Sequence, residues 1–237
     1  MPPASSPSMP PEAVGTGADL PEEPPLVLAE DQRVPLRLTA SRGVLGLELY
    51  EAVELAPLRV SRLSVTLPGL KFPVDLSGGV PKFRHRRGQL EHVRLELVRA
   101  ELERWVGRHV GDALGKLARP PAVWPVAGGF GLGFVTEGGA LAFDALWAPT
   151  HGDARFVIDR ARAAGFELPA LGLALRVADS VLGRIGTRRG RAFSISDVGQ
   201  RLGRALLPAV GARAPSAGEV RFGALSVGEQ SFAVELD

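Results

Sequence analysis

Apolar residues recur along this chain with two periods, and the points where the period switches divide it into strands and helices. Residues 60–76 and 158–175 each read as an extended run, a Leu-Pro pair (Leu67-Pro68 and Leu168-Pro169) and a second extended run. Residues 90–97 form a further strand pattern, after which Val98, Leu102, Trp105, Val106, Val110, Ala113, Leu114 and Leu117 fall at steps of three and four. Arg99, Glu103, Arg104, Arg108 and Asp112 lie outside that stripe, so one helix is predicted over 98–117. A shorter strand pattern over 192–195 precedes a second stripe, Val198, Leu202, Ala205, Leu206, Ala209 and Val210, with Ser194 or Ser196 offered as its N-cap. Turn-rich breaks after each helix lead to predicted hairpins: 130–135 with 140–147 around Glu137-Gly138-Gly139, and 220–227 with 231–236 around Gly228-Glu229. Residues 34–50 supply one or two strands at the front.

The same order therefore occurs twice: strand, Leu-Pro, strand, basic turn, strand, helix, hairpin. The Leu-Pro pairs are offset by 101 residues, and the turns Arg86-Arg87-Gly88 and Arg188-Arg189-Gly190 by 102. The predicted organisation is an acidic, Pro-rich tail over 1–33, a first unit over 34–150 that includes the extra strands, and a second unit over 151–237. The predicted fold class is α+β, a curled antiparallel sheet wrapped on long amphipathic helices in two related units. In the run from Gly129 to Phe134, alternation sends Phe130, Leu132 and Phe134 to one face and glycines to the other. That pattern suits a hairpin packed on a helix, or a strand lining an apolar tube in which missing side chains leave room for an acyl chain.

The stretch from Phe83 through Arg84-His85-Arg86-Arg87 to Leu97, running straight into the 98–117 helix, and its counterpart over 189–210, resemble the tubular lipid-binding (TULIP) superfamily. The resemblance implies a hydrophobic tunnel that holds lipid tails, with no catalytic chemistry. The residues expected to line it are Leu102, Trp105, Val106, Val110, Phe130, Leu132, Phe134, Val198, Leu202 and Leu206. Trp105 and Trp147 sit on apolar faces, where core packing and tunnel lining are both open.

Composition narrows the chemistry. The chain has 237 residues, 45% of them hydrophobic, enough to bury a full-sized core. It has no cysteine, which excludes a disulfide scaffold, a thiol nucleophile and a cysteine-ligated cluster. Six acidic residues and no Lys or Arg occupy positions 1–32, so against an overall +2 the remainder carries about +8. Only Lys71, Lys82 and Lys116 among the 28 cationic residues are lysines. Such an Arg excess suits phosphate or carboxylate recognition, and it equally suits a compositional bias. The anion-binding candidates are Arg84, Arg86 and Arg87 in the first basic turn and Arg188, Arg189 and Arg191 in the second, the alternative being solvated hairpin turns.

Nucleic acid is disfavoured as a partner, because Tyr50 is the only tyrosine and Phe83 the only aromatic residue in either basic cluster. The histidines (His85, His92, His109, His151) lack metal-site spacing, and nucleophile-elbow, dinucleotide and Walker patterns are absent, so no metal, cofactor or catalytic residue is expected. Asp144, inside an apolar strand, is expected to face solvent opposite Phe143 and Ala145. With no signal-like or membrane-spanning run, a cytoplasmic location is expected, with an anionic membrane surface as one partner. The expected function is non-catalytic binding of a lipid or other hydrophobic small molecule between helix and sheet, with arginines contacting an anionic group. The alternative is an adaptor with a solid interior that docks a protein partner through Arg-rich faces.

Overall fold

The computed structural model describes residues 35–41, 44–70, 73, 88–150, 152–206 and 220–237. The tail over 1–33, the first basic turn with Arg84, Arg86 and Arg87, and residues 207–210 of the second predicted helix lie outside the described residues. In chain order the first elements are strands β1 (Leu36–Ser41), β2 (Val44–Leu49), β3 (Val53–Leu55), β4 (Leu58–Leu67) and β5 (Gln89–Val98). Helices α1 (Arg99–His109) and α2 (Gly111–Leu114) follow, then β6 (Ala122–Val126), β7 (Gly129–Thr136), β8 (Gly139–Trp147) and β9 (Ala154–Ala164). The chain ends with α3 (Ala170–Leu182), β10 (Thr187–Arg189), β11 (Ala192–Ile195), α4 (Val198–Leu206), β12 (Ser226–Val227) and β13 (Ser231–Leu236). The architecture is α+β, with two open, wholly antiparallel sheets. One runs β1-β2-β4-β5-β13-β12, with β3 on β4, and the other β10-β11-β9-β8-β7-β6.

Alternation builds the first sheet. Leu45 and Leu47 of β2 and Val93 and Leu95 of β5 are buried at period two. In β4 the buried positions are Val60, Leu63, Val65 and Leu67, a break in period that a register shift between Val60 and Arg62 absorbs: Val60 still faces Leu95, and Leu63 faces Val93. The extra residue of this bulge keeps both halves of the strand on the core side.

The helices differ from expectation in three places. The helix predicted over 98–117 ends at His109, and Val110 passes the chain to the short α2, which stops at Gly115 with φ +67, a conformation glycine adopts freely. The second extended run expected after Leu168-Pro169 is instead α3, with Pro169 at its N-cap and Leu173, Ala174, Val177, Ala178 and Val181 buried at helical spacing. Proline just ahead of a helix sacrifices no intrahelical bond, so Leu-Pro is here a helix entry, not the middle of a strand pair. At the start of α4 the cap position belongs to Asp197 (φ +55), whose carbonyl accepts the Arg201 amide at 2.9 Å, in place of Ser194 or Ser196. The first hairpin is as predicted, Thr136 pairing Gly139 across Glu137-Gly138. The second is narrower: β12 covers only two residues, and Phe222 makes a single bridge to Leu236.

Two helices cross from one sheet to cover the other, while α3 packs on its own sheet against β8 and β9. α1 leaves β5 of the first sheet, yet its Leu102 and Val106 join the core of the second, with Phe130, Phe143 and Ile158 and with α3. α4 leaves β11 of the second sheet and seats Val198, Leu202, Ala205 and Leu206 in the core of the first. β13 then returns to pair with β5, setting Val234 opposite Leu95 and Leu236 opposite Val93. Burying each of these side chains contributes on the order of 1.5–3 kcal/mol, so the exchange holds the two sheets face to face.

Candidate functional site

Between the two helix-covered faces the side chains do not close the interior. They leave a cavity of about 830 Å³. The second sheet contributes Phe130 and Leu132 from β7, Phe143, Ala145 and Trp147 from β8, and Phe156 and Ile158 from β9. The first sheet contributes Leu58, Leu95, Leu97 and Val234. The helices complete the wall with Leu102, Trp105 and Val106 of α1, Val177, Ala178 and Val181 of α3, and Val198, Leu202 and Ala205 of α4. Among the described residues of the wall there is no Asp, Glu, Lys, Ser, Thr or Tyr, and the polar side chains other than the tryptophans are His109, Arg184, Arg201 and Arg204.

Seven of the ten residues expected to line an apolar site are therefore in its wall: Leu102, Trp105, Val106, Phe130, Leu132, Val198 and Leu202. Val110, Phe134 and Leu206 are buried in the surrounding core and do not line it. Aromatic rings stiffen the wall. Phe130 meets Phe156 edge-on at 5.6 Å and lies 5.4 Å from Phe232, while Trp147 lies 5.0 Å from Phe156 and donates its indole N–H to the Gly223 carbonyl at 3.1 Å. The His109 ring lies 4.8 Å from that of Trp105, and its Nδ1 is 2.7 Å from the Trp105 carbonyl oxygen. Because that oxygen only accepts, Nδ1 carries the proton, and in the neutral ring Nε2 is the acceptor.

The glycine face of β7 serves a different purpose from the one alternation suggested. Trp124 of β6, paired with Gly131, lays its indole over Gly131 and Gly133, so the missing side chains make room for a tryptophan and the Phe/Leu face meets the cavity. Asp144 also departs from expectation. It is buried instead of solvent-facing, with its Oδ2 2.6 Å from Arg160 Nε. A register shift between Ala142 and Asp144 accompanies that pair, and Arg160 itself has φ +45.

The second basic turn is not part of the wall. Arg188 pairs with Asp179 of α3, Nε to Oδ2 at 2.9 Å, while Arg189 and Arg191 are exposed on either side of Gly190 (φ +63). The cations that do reach the cavity are Arg184, in the turn after α3, and Arg201 and Arg204, one turn apart on α4. Arg184 lies four residues before the second basic turn in sequence. The i, i+3 spacing of Arg201 and Arg204 beside the apolar stripe of α4 was the signal for the other two.

Among the described residues no group of three His, Cys, Asp or Glu side chains could hold a metal ion, and no helix is long and apolar enough to cross a membrane. No protein-family model matches the chain, and neither curated proteins nor solved structures give a match.

Proposed function

We propose that this protein binds a lipid or another hydrophobic small molecule, without catalysis, in the cavity between its two sheets. The observation that carries this reading is the wall itself: about 830 Å³ bounded by apolar side chains from both sheets and three helices, within the size range of ligand sites that bury most of a small molecule. Each methylene moved from water into such a wall contributes about 0.8 kcal/mol. Among the described residues the wall offers one imidazole and no carboxylate or hydroxyl, which favours binding over acid–base or nucleophilic chemistry. The adaptor alternative assumed a solid interior, and the cavity argues against it.

The order strand, helix, then hairpin in the opposite sheet, followed once from β5 through α1 to β7–β8 and once from β11 through α4 to β12–β13, supports reading the chain as two related units. Together with the apolar cavity, it supports the resemblance to tubular lipid-binding proteins.

Organic extraction of the freshly purified protein, with mass spectrometry of the extract beside native mass spectrometry of the intact chain, tests the proposal. A stoichiometric apolar ligand is expected, and its amount should fall several-fold in Ala178→Phe, which projects a ring from α3 into the cavity. A melting temperature no more than a few degrees below wild type would show that this variant still folds. A wild-type chain that takes up no apolar ligand, either during expression or on later exposure to lipid, would overturn the reading.

A further inference from the structure

The polar side chains of the wall are not mixed in sign. Arg184, Arg201 and Arg204 bring three cations to a lining in which no carboxylate occurs among the described residues. Arg184 and Arg204 are exposed and have no ion-pair partner among the described residues, whereas Arg188 and Arg160 are each matched to an aspartate. Arg201 is half-buried, and its Nε donates to the Ser196 carbonyl at 2.9 Å, which fixes the guanidinium at the start of α4. Exposed cations on the rim of an apolar wall mark where the cavity opens to solvent, and they give it a polar end. Guanidinium groups bind carboxylate and phosphate oxygens through paired, charge-assisted hydrogen bonds.

Size sets the other half of the description. At about 30 Å³ for each non-hydrogen group, the share of one water in the liquid, 830 Å³ holds roughly 28 such groups. That accommodates one chain of about sixteen carbons with a compact headgroup, and falls well short of a two-chain glycerophospholipid.

We infer that the cavity takes a single-chain amphiphile whose anionic headgroup, a carboxylate or a phosphate, is held at the mouth by Arg184 and Arg204. This rests on the proposed function and specifies its ligand class. The chain lies against Phe130, Leu132 and Val106, and the headgroup stays at the rim where water completes its solvation.

The test uses the full chain after delipidation and four probes, each at a concentration where it is monomeric: palmitate, palmitoyl lysophosphatidic acid, monopalmitoylglycerol as the neutral single chain, and dipalmitoyl phosphatidic acid as the two-chain anion. Affinities come from calorimetry and stoichiometries from native mass spectrometry. One of the single-chain anions is expected to bind one to one at least tenfold more tightly than monopalmitoylglycerol, since a hydrogen bond to a charged group is worth about one to two decades of affinity. Preference for palmitate identifies a carboxylate head, and preference for the lysophosphatidic acid a phosphate head. In Arg184→Gln/Arg204→Gln the advantage should shrink towards unity, the loss falling on the anionic chain, and both sites are exposed enough to leave the melting temperature in place.

Equal affinity for anionic and neutral chains, or an advantage that survives the double substitution, would overturn the headgroup assignment while leaving the cavity reading standing. Equally tight one-to-one binding of dipalmitoyl phosphatidic acid would overturn the single-chain assignment. Failure of every probe to bind would overturn the cavity reading itself.

Discussion

Trp124 explains the two glycines opposite it. A Cβ at Gly131 would overlap the indole, and one at Gly133 would come within 2.9 Å of it, so the Gly-Phe-Gly-Leu-Gly pattern of β7 keeps a tryptophan flat on the outer face of the second sheet. Gly131→Ala is expected to destabilise the protein by roughly 1–3 kcal/mol through overpacking, and Trp124→Ala in the same chain should recover much of that loss. Urea unfolding of the two single variants and the double variant measures the coupling, and additive effects would contradict the contact. Alternation alone showed which residues of β7 share a face. It could not show that the empty side was occupied by a neighbouring strand, because that depends on the β6–β7 register. Asp144 was hidden for a similar reason: its burial depends on Arg160 reaching it from β9 at a bulge, and a bulge leaves little trace in a hydrophobic pattern.

Among the elements, β5 carries a charged ladder on the face away from the core. Arg94 Nε lies 3.1 Å from Glu96 Oε1 and its Nη1 3.0 Å from Glu235 Oε1 on β13, while Ser61 of β4 donates to Glu96 at 2.9 Å. Burial pushes the Glu96 carboxyl upward, but the hydrogen bonds from Arg94 and Ser61, aided by the Arg94 charge, outweigh it and hold the carboxyl below its ordinary value of 4.5. Its hydrogen bonds to Glu96 and Glu235 raise the Arg94 guanidinium above its ordinary value. Because the folded carboxyl is the stronger acid, its contribution to stability is complete above pH 4.5 and is lost as pH falls through the folded value. Glu96→Gln should therefore unfold more easily than wild type at neutral pH, by up to about 1 kcal/mol, and the two should converge in acid. Chemical denaturation across that pH range is the measurement, and parallel curves would refute the assignment.

The elements that the pattern revealed are those whose burial is set by local period: β4, β5, the β7–β8 hairpin and α1. α3 was concealed although Leu173, Ala174, Val177, Ala178 and Val181 stand at helical spacing. Aligning its Leu-Pro entry with Leu67-Pro68 imposed a strand reading on a segment whose own period was 3.6. With α3 misread, the helical wall it gives the cavity could not be foreseen.

Across the whole molecule, the two cores are bound by shared residues and exchanged elements. Trp147 and Leu225 pack against both, and β13 sends Phe232 to one core and Val234 and Leu236 to the other. Neither sheet can lose its cover without removing an element attached to its partner. The prediction is one cooperative transition: urea curves followed by tryptophan fluorescence, which reports on the second core through Trp105 and on the junction of the two cores through Trp147, should coincide with those from far-ultraviolet circular dichroism. Separated midpoints would mean that the two halves unfold independently. Hydrophobic periods identify what is buried but not against what, so the reciprocal seating of α1 and α4 lay beyond the sequence pattern, while the apolar stripes that make it work were visible in it.

The pairing of β5 with β13 also has a consequence during synthesis. Val98 ends one strand and Ser231 begins the other, with the whole second sheet encoded between them. At about 5–20 residues per second, a ribosome needs on the order of ten seconds to cross that interval. Throughout it, the nascent chain holds β5 with one hydrogen-bonding edge unfilled, open to any other extended chain nearby until its distant partner emerges.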